Sequence, residues 1–173
     1  MKTYQLTEGN RDVSFYKQKL RELSSISIRR SSKFNLLTLY GALQCMQGVS
    51  FSKRLGIYVM TQYGPVASFI DVFEKQRNGQ KLSPFDFLNI NINNAAFYVS
   101  RALDVEGKNM VVITKDNHLN RGIDLAKLDM QLGIIDDALV GLVDEAVERA
   151  EGTFPDISHW VYFSHKETDV SID

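Results

Sequence analysis

Three histidines, one cysteine and two runs of paired acids are the residues of this sequence that could do chemistry. The most suggestive placement is the turn Lys115-Asp116-Asn117-His118. It follows a strand-like run, Asn109-Met110-Val111-Val112-Ile113-Thr114, and precedes a helix-like segment that begins near Gly122. In α/β proteins such a junction presents side chains at a helix N-terminus, where negative charge is stabilised. Asp116 and His118 could serve there as a hydrolytic or decarboxylating acid–base pair. The turn holds no Ser or Cys, however, and an Asp–His pair without nucleophile, metal or oxyanion donor is an incomplete site.

The remaining candidates are weaker. His159 and His165 flank the last strand-like run. No two histidines stand four apart on a helix and no HExxH occurs, so no metal site is expected. No GxSxG, P-loop or GxGxxG is present, and no cofactor is expected. Cys45 lies within an amphipathic helix and reads as a buried structural thiol. Asp136-Asp137 open a strand that Asp144-Glu145 close, and these acids read as solvated strand ends. By its own residues the sequence shows no active site.

The elements that would position these groups alternate between helix and strand. Residues 12–23 place Val13, Tyr16, Leu20 and Leu23 on one helical face behind an Asp12 cap. Residues 32–47 repeat the pattern with Leu36, Leu39, Tyr40, Leu43 and Met46, capped by Ser31 or Ser32. Gly56–Thr61 is a Gly-bounded, β-branched strand. A helix starts at Pro65, with Val66, Phe69, Ile70 and Phe73 as its buried face, and stops at Asn78-Gly79. Leu82–Phe87 reads as a loop carrying two aromatics. Residues 93–103 form a helix with Ala96, Val99 and Leu103 inward. Beyond the strand at 109–114 come a helix over 122–132, a strand at 138–143 and a strand at 160–164. This order predicts an α/β fold with a largely parallel sheet.

The chain of 173 residues, 44% hydrophobic and 24% charged, suits one domain with a real core. A formal net charge of −1 gives no general attraction to nucleic acid. No apolar run approaches the roughly 20 residues of a membrane span. Met1–Gln5 lacks the apolar core of a signal peptide, and a single Cys excludes an internal disulfide. These features point to the cytoplasm. Residues 1–10 and 166–173 are polar and read as loose ends.

The order of several short motifs resembles the N-terminal half of a β-ketoacyl synthase, a family of the thiolase-like fold. Arg29-Arg30-Ser31-Ser32-Lys33-Phe34 is similar to that family's "RRM(D/S)RF". Gly56–Thr61 followed by Tyr63-Gly64 resembles its "GVVVGTGFG". Leu82-Ser83-Pro84-Phe85 resembles "VSPF", and Asn94-Ala95-Ala96 with Val99 and Leu103 resembles "NMAAGHVAIRLG". Gly107 and Asn109 match the "GPN" before the nucleophile strand. Asp137–Gly141 and Val143-Asp144-Glu145 look like "DAALVGGVDEA". The likeness runs colinearly over about residues 29–148.

Where the family ends its strand with "VSTACASG", Thr114 takes the place of the Thr and Asp116 that of the nucleophilic Cys. Asp cannot form the acyl thioester. The family's catalytic histidines come from a C-terminal half that has no counterpart here. The chain therefore resembles a chain-length factor, the sister subunit that lacks the Cys and pairs with an active ketosynthase. The fold so implied is one α/β unit, residues 1–173, a truncated, three-layer thiolase-like half. It has a mixed, mostly parallel sheet flanked by helices, without the first edge strand and without the C-terminal half.

The resemblance implies a catalytically inactive partner in polyketide or fatty-acid-type chain elongation. It makes Asn109, Met110, Val111, Val112, Ile113 and Thr114 the pairing strand. Phe85, Phe87, Ile90 and Phe97 would face the partner's acyl tunnel. The partner is a full-length ketosynthase, with an acyl carrier protein engaged indirectly. The alternatives are a stand-alone structural homodimer through the same strand, or a small thioester hydrolase or decarboxylase using Asp116 and His118. In 122–132, Leu125, Leu128 and Leu132 make one face and Asp124, Lys127 and Gln131 the other. That pattern suits a helix that is wet on one side.

Overall fold

The computed structural model describes residues 1–115, 118–149 and 152–164. In chain order the elements are β1 (Lys2–Glu8), α1 (Val13–Arg21), α2 (Lys33–Met46), β2 (Leu55–Thr61), α3 (Val66–Arg77), α4 (Pro84–Ile90), α5 (Asn94–Leu103) and β3 (Asn109–Ile113). They continue with α6 (His118–Gln131), β4 (Asp137–Asp144), a small hairpin of β5 (Val147–Arg149) and β6 (Gly152–Phe154), and β7 (Asp156–Ser164). The main sheet has the order β1-β7-β4-β2-β3. β2 pairs in parallel with both β3 and β4, and β7 runs antiparallel to β4 and β1, so a single strand opposes the other four.

Helices cover both faces, which makes three layers. On one face α1, α2 and α5 enclose a core of Tyr16, Phe34, Leu37, Leu39, Ile57, Val59, Leu139 and Trp160. α2 is buried on nearly every side because it lies between the sheet and its neighbouring helices, and it reads apolar all round accordingly. Ser32 caps it by accepting the Asn35 amide, and Asp12 caps α1 by accepting the Phe15 amide. On the other face α6 is the one helix among the described residues that covers Tyr58, Met60, Ala138, Val140, Val161 and Phe163. Trp160 fits across the sheet because Gly141 stands opposite it; a Cβ there would lie 2.5 Å from the indole ring.

Several sequence expectations change. The first edge strand, expected to be lacking, is present: Lys2–Glu8 forms β1 at the edge beside β7, and residues 1–10 are not a loose end. Tyr4 and Leu6 pack inward while Thr3, Gln5 and Thr7 face out, a period-two pattern in an otherwise polar segment. The loop expected at 82–87 is largely the helix α4. Pro84 is its first residue, and a reciprocal capping box joins Ser83 and Asp86. The expected inward face of α3 is not buried: Ile70 and Phe73 are exposed, and the helix has no buried residue. The last strand begins at Asp156, four residues before the expected start.

The leucine face of α6 is also reversed. The residues against the sheet are Gly122, Ala126, Asp129 and Met130, while Leu125, Leu128 and Leu132 are exposed. The cause is close approach. A Cβ at Gly122 would lie 2.6 Å from Val140 Cγ1 and 2.8 Å from Met60 Cγ, so the helix meets the sheet with its smallest residues. Tyr58 and Lys108 then both donate to Asp129, at 2.5 and 2.7 Å, and tie the helix to the sheet.

Candidate functional site

β3 is the end strand of the sheet. Its start is set by Gly107, whose backbone passes so close to Leu55 that no Cβ fits. Ile57 donates to the Lys108 carbonyl at 2.8 Å and Thr114 to the Thr61 carbonyl at 2.9 Å. In a parallel ladder that alternation turns the main-chain groups of Met110 and Val112 toward β2. The N–H and C=O groups of Asn109, Val111 and Ile113 therefore point outward from the sheet edge. Such a row is a template for another strand. Of the six residues expected to pair, Asn109 to Ile113 form this edge strand, which no other described strand covers, with Ile113 57% exposed. Thr114 lies beyond the strand, is buried, and donates to Thr61.

The exposed leucines lie beside this edge. A groove of about 610 Å³ separates β3 from α6, walled by Met60, Val112, Ile113, Leu125 and Leu128, with Lys115, Arg121 and Asp124 at its polar side. Leu132 and Ile134 extend the apolar surface past the end of the helix. The sequence missed this strip because a helical stripe does not say which face meets the sheet.

The expected tunnel-facing residues are all at the surface. Phe85 and Phe87 lie on α4 and are exposed, Ile90 at its end is half-buried, and Phe97 on α5 is exposed. Arg30 stacks its guanidinium 4.3 Å over the Phe85 ring. Lys75 of α3 bridges Asp71 and Asp86, at 2.5 and 2.9 Å, which fastens α4 to α3.

Of the acid–base pair in the turn, Asp116 lies outside the described residues. His118 opens α6, and its Nδ1 is enclosed with no hydrogen-bond partner among them. Cys45 is buried and burial pushes its thiol up, as a structural thiol requires. Among the described residues no group of three or more His, Cys, Asp and Glu is placed to hold a metal, and no helix is long and apolar enough to cross a membrane.

The acids read as solvated strand ends are mostly buried. Asp137 accepts the Ser52 amide; its neighbour Asp136 is half-exposed. Asp144 Oδ1 accepts the Thr61 hydroxyl at 2.7 Å and the Gln62 and Tyr63 amides at 2.9 and 3.0 Å. Burial raises the Asp144 carboxyl despite these donors and the nearby His118. Glu145 Oε2 accepts the Ala67 amide at the start of α3. These carboxylates hold the turn between β2 and α3 rather than face water.

No family model matches the sequence, and no curated protein matches it. Solved structures do match. A chain from the complex of a ketosynthase with its chain length factor from Xenorhabdus doucetiae aligns with a TM-score of 0.68 at 10% identity, over 95% of this chain and 79% of that one. The ishigamide ketosynthase/chain length factor aligns with a TM-score of 0.65 at 15% identity, over 82% of this chain and 46% of that one. A β-ketoacyl synthase from Burkholderia phymatum gives 0.62 at 13% identity, over 81% and 44%. The fold is the thiolase-like fold of the ketosynthases. The chain spans somewhat less than half the length of the last two proteins and most of the length of the first.

Proposed function

We propose that this chain is a non-catalytic, ketosynthase-like partner subunit, similar to a chain length factor, that pairs with a full-length ketosynthase in polyketide or fatty-acid-type elongation. The observation that carries this reading is the open β3 edge flanked by the exposed leucines of α6. An unpaired edge of outward main-chain groups beside an apolar groove costs solubility unless a partner covers it. Strand addition supplies directional hydrogen bonds, and Leu125, Leu128 and Ile113 supply apolar area around them. The similarity to a chain from a complex of a ketosynthase with its chain length factor supports the choice of partner. So does the share of that chain aligned, since a chain of comparable length occurs in that complex. The whole of residues 1–173 would act as one such unit, with an acyl carrier protein reaching the pair through the ketosynthase. The position that holds the family's Cys is Asp116, which cannot carry an acyl thioester.

In this reading the aromatics of α4 and α5 limit the growing chain, because a packed aromatic wall does not yield to added methylenes. Phe87→Ala, at an exposed position that leaves the core untouched, should lengthen the acyl products by at least one elongation step in the reconstituted pair. Mass spectrometry of carrier-bound products checks this. Unchanged lengths from an intact pair would remove the tunnel role.

A further inference from the structure

Between β2 and α5 the chain leaves the body of the fold as an arm that contains α3 and α4. Neither helix buries a residue, whereas α2 is almost wholly enclosed. Polar groups at its root hold the arm instead. Asp144 binds the Thr61 hydroxyl and the Gln62 and Tyr63 amides, and Glu145 binds the Ala67 amide at 2.9 Å. Glu145 is 1% exposed, and its second oxygen, Oε1, makes no hydrogen bond of normal geometry among the described residues.

The charged and polar groups around Glu145 come from every side. α2 brings the Lys33 ammonium and the Phe34 amide, α3 the Ala67 amide, and β7 the Asp156 carboxylate. Asp144 adjoins it in sequence, and His118 of α6 acts on Asp144. Lys33 is already engaged with Asp156 at 2.7 Å, so it does not serve as a dedicated counter-ion.

We propose that Glu145 is a proton-controlled pin for the α3–α4 arm: protonated, it lets the arm lie closed, and ionised, it drives the arm to open so that the carboxylate reaches water. Burial is the dominant influence on this group and pushes it up to about 7, while the Ala67 and Phe34 amides and Lys33 oppose the shift. An opened arm would hydrate the carboxylate and return it toward its ordinary 4.5. A group that binds its proton more tightly when closed favours the closed form in acid and the open form as pH rises through its closed-state value. From these two values the opening constant rises about tenfold between pH 6 and pH 8. The arm yields rather than α2 because it has no buried side chains to hold it. Its position controls how Ile70, Phe73, Phe87 and Leu88 are presented, whatever partner the chain has.

Native-state hydrogen exchange read by mass spectrometry, at about pH 6 and about pH 8 and corrected for intrinsic rates, tests this. The expected result is a roughly tenfold loss of protection in α3 at the higher pH, with α2 and β4 unchanged. Glu145→Gln should hold α3 equally protected at both. Equal protection of α3 at both values in the native sequence would overturn the proposal, as would a loss shared by α2 and β4. Should the variant fail to fold, a carbon-13 carboxyl titration of the native chain decides. A midpoint near 7 for Glu145 supports the pin, and one in the ordinary Glu range overturns it.

Discussion

Val111→Pro should leave the chain folded and abolish its pairing. The N–H of Val111 points away from β2, so proline removes no bond of the existing ladder. Proline is tolerated at such edge positions, and the expected loss of fold stability is about 1 kcal/mol. On the outward side the same change deletes a donor and places a ring where an added strand would lie. A strand-addition interface loses at least two main-chain hydrogen bonds and its close approach, which predicts about a hundredfold weaker association or more. Val112→Pro should have the opposite signature, because its N–H serves β2: the fold itself should lose about 3 kcal/mol. Thermal melts of the two variants, together with the mass of the complex each forms, separate the outcomes. Val111→Pro pairing as tightly as the native chain would remove β3 from the interface.

The second large effect lies away from the edge. Asp156 is fully buried and accepts four donors: Lys33 Nζ and the Ala146 amide at 2.7 Å, the Tyr16 hydroxyl at 2.9 Å and the Arg11 amide at 3.1 Å. It joins α1, α2, the segment after β4 and β7 at one point. Asp156→Ala strands the enclosed Lys33 ammonium and the buried Tyr16 hydroxyl, and should cost about 3–5 kcal/mol. If a stranded charge is the cause, Lys33→Met in the same chain should recover a large part of that loss, which a double-mutant cycle measures. Urea midpoints for the two single variants and the double variant give the numbers. A loss under about 1 kcal/mol for Asp156→Ala would show that water reaches this cluster in place of the carboxylate.

Strands bounded by glycine and helices with a polar cap were legible in the sequence. β2, β3 and β4 stand out as short apolar runs because they lie inside the sheet or against its helices. Asp12 and Ser32 mark helix starts because their side-chain oxygens accept the free amides of the first turn. β1 was not legible because an edge strand with one solvated face needs only Tyr4 and Leu6 to hold it. The helical start at Pro84 was missed when 82–87 was read as a loop, although Ser83 and Asp86 spelled out a capping box.

The candidate site divides in the same way. The strand expected to pair was singled out through motif order, and it lies at the end of the sheet. The leucine strip beside it was visible as a pattern, but a stripe does not say which face meets the sheet, and Gly122, Ala126, Asp129 and Met130 are the residues that do. Asp144 and Glu145 were misjudged because charges at a strand end normally face water. Here they satisfy the amides of a turn that the sequence does not display.

The measurement that tests the central claim most directly is the mass in solution, by light scattering, of the purified chain alone and after co-expression with a complete ketosynthase from its own gene neighbourhood. The account predicts a stable one-to-one complex. A clean homodimer that ignores the ketosynthase would contradict it.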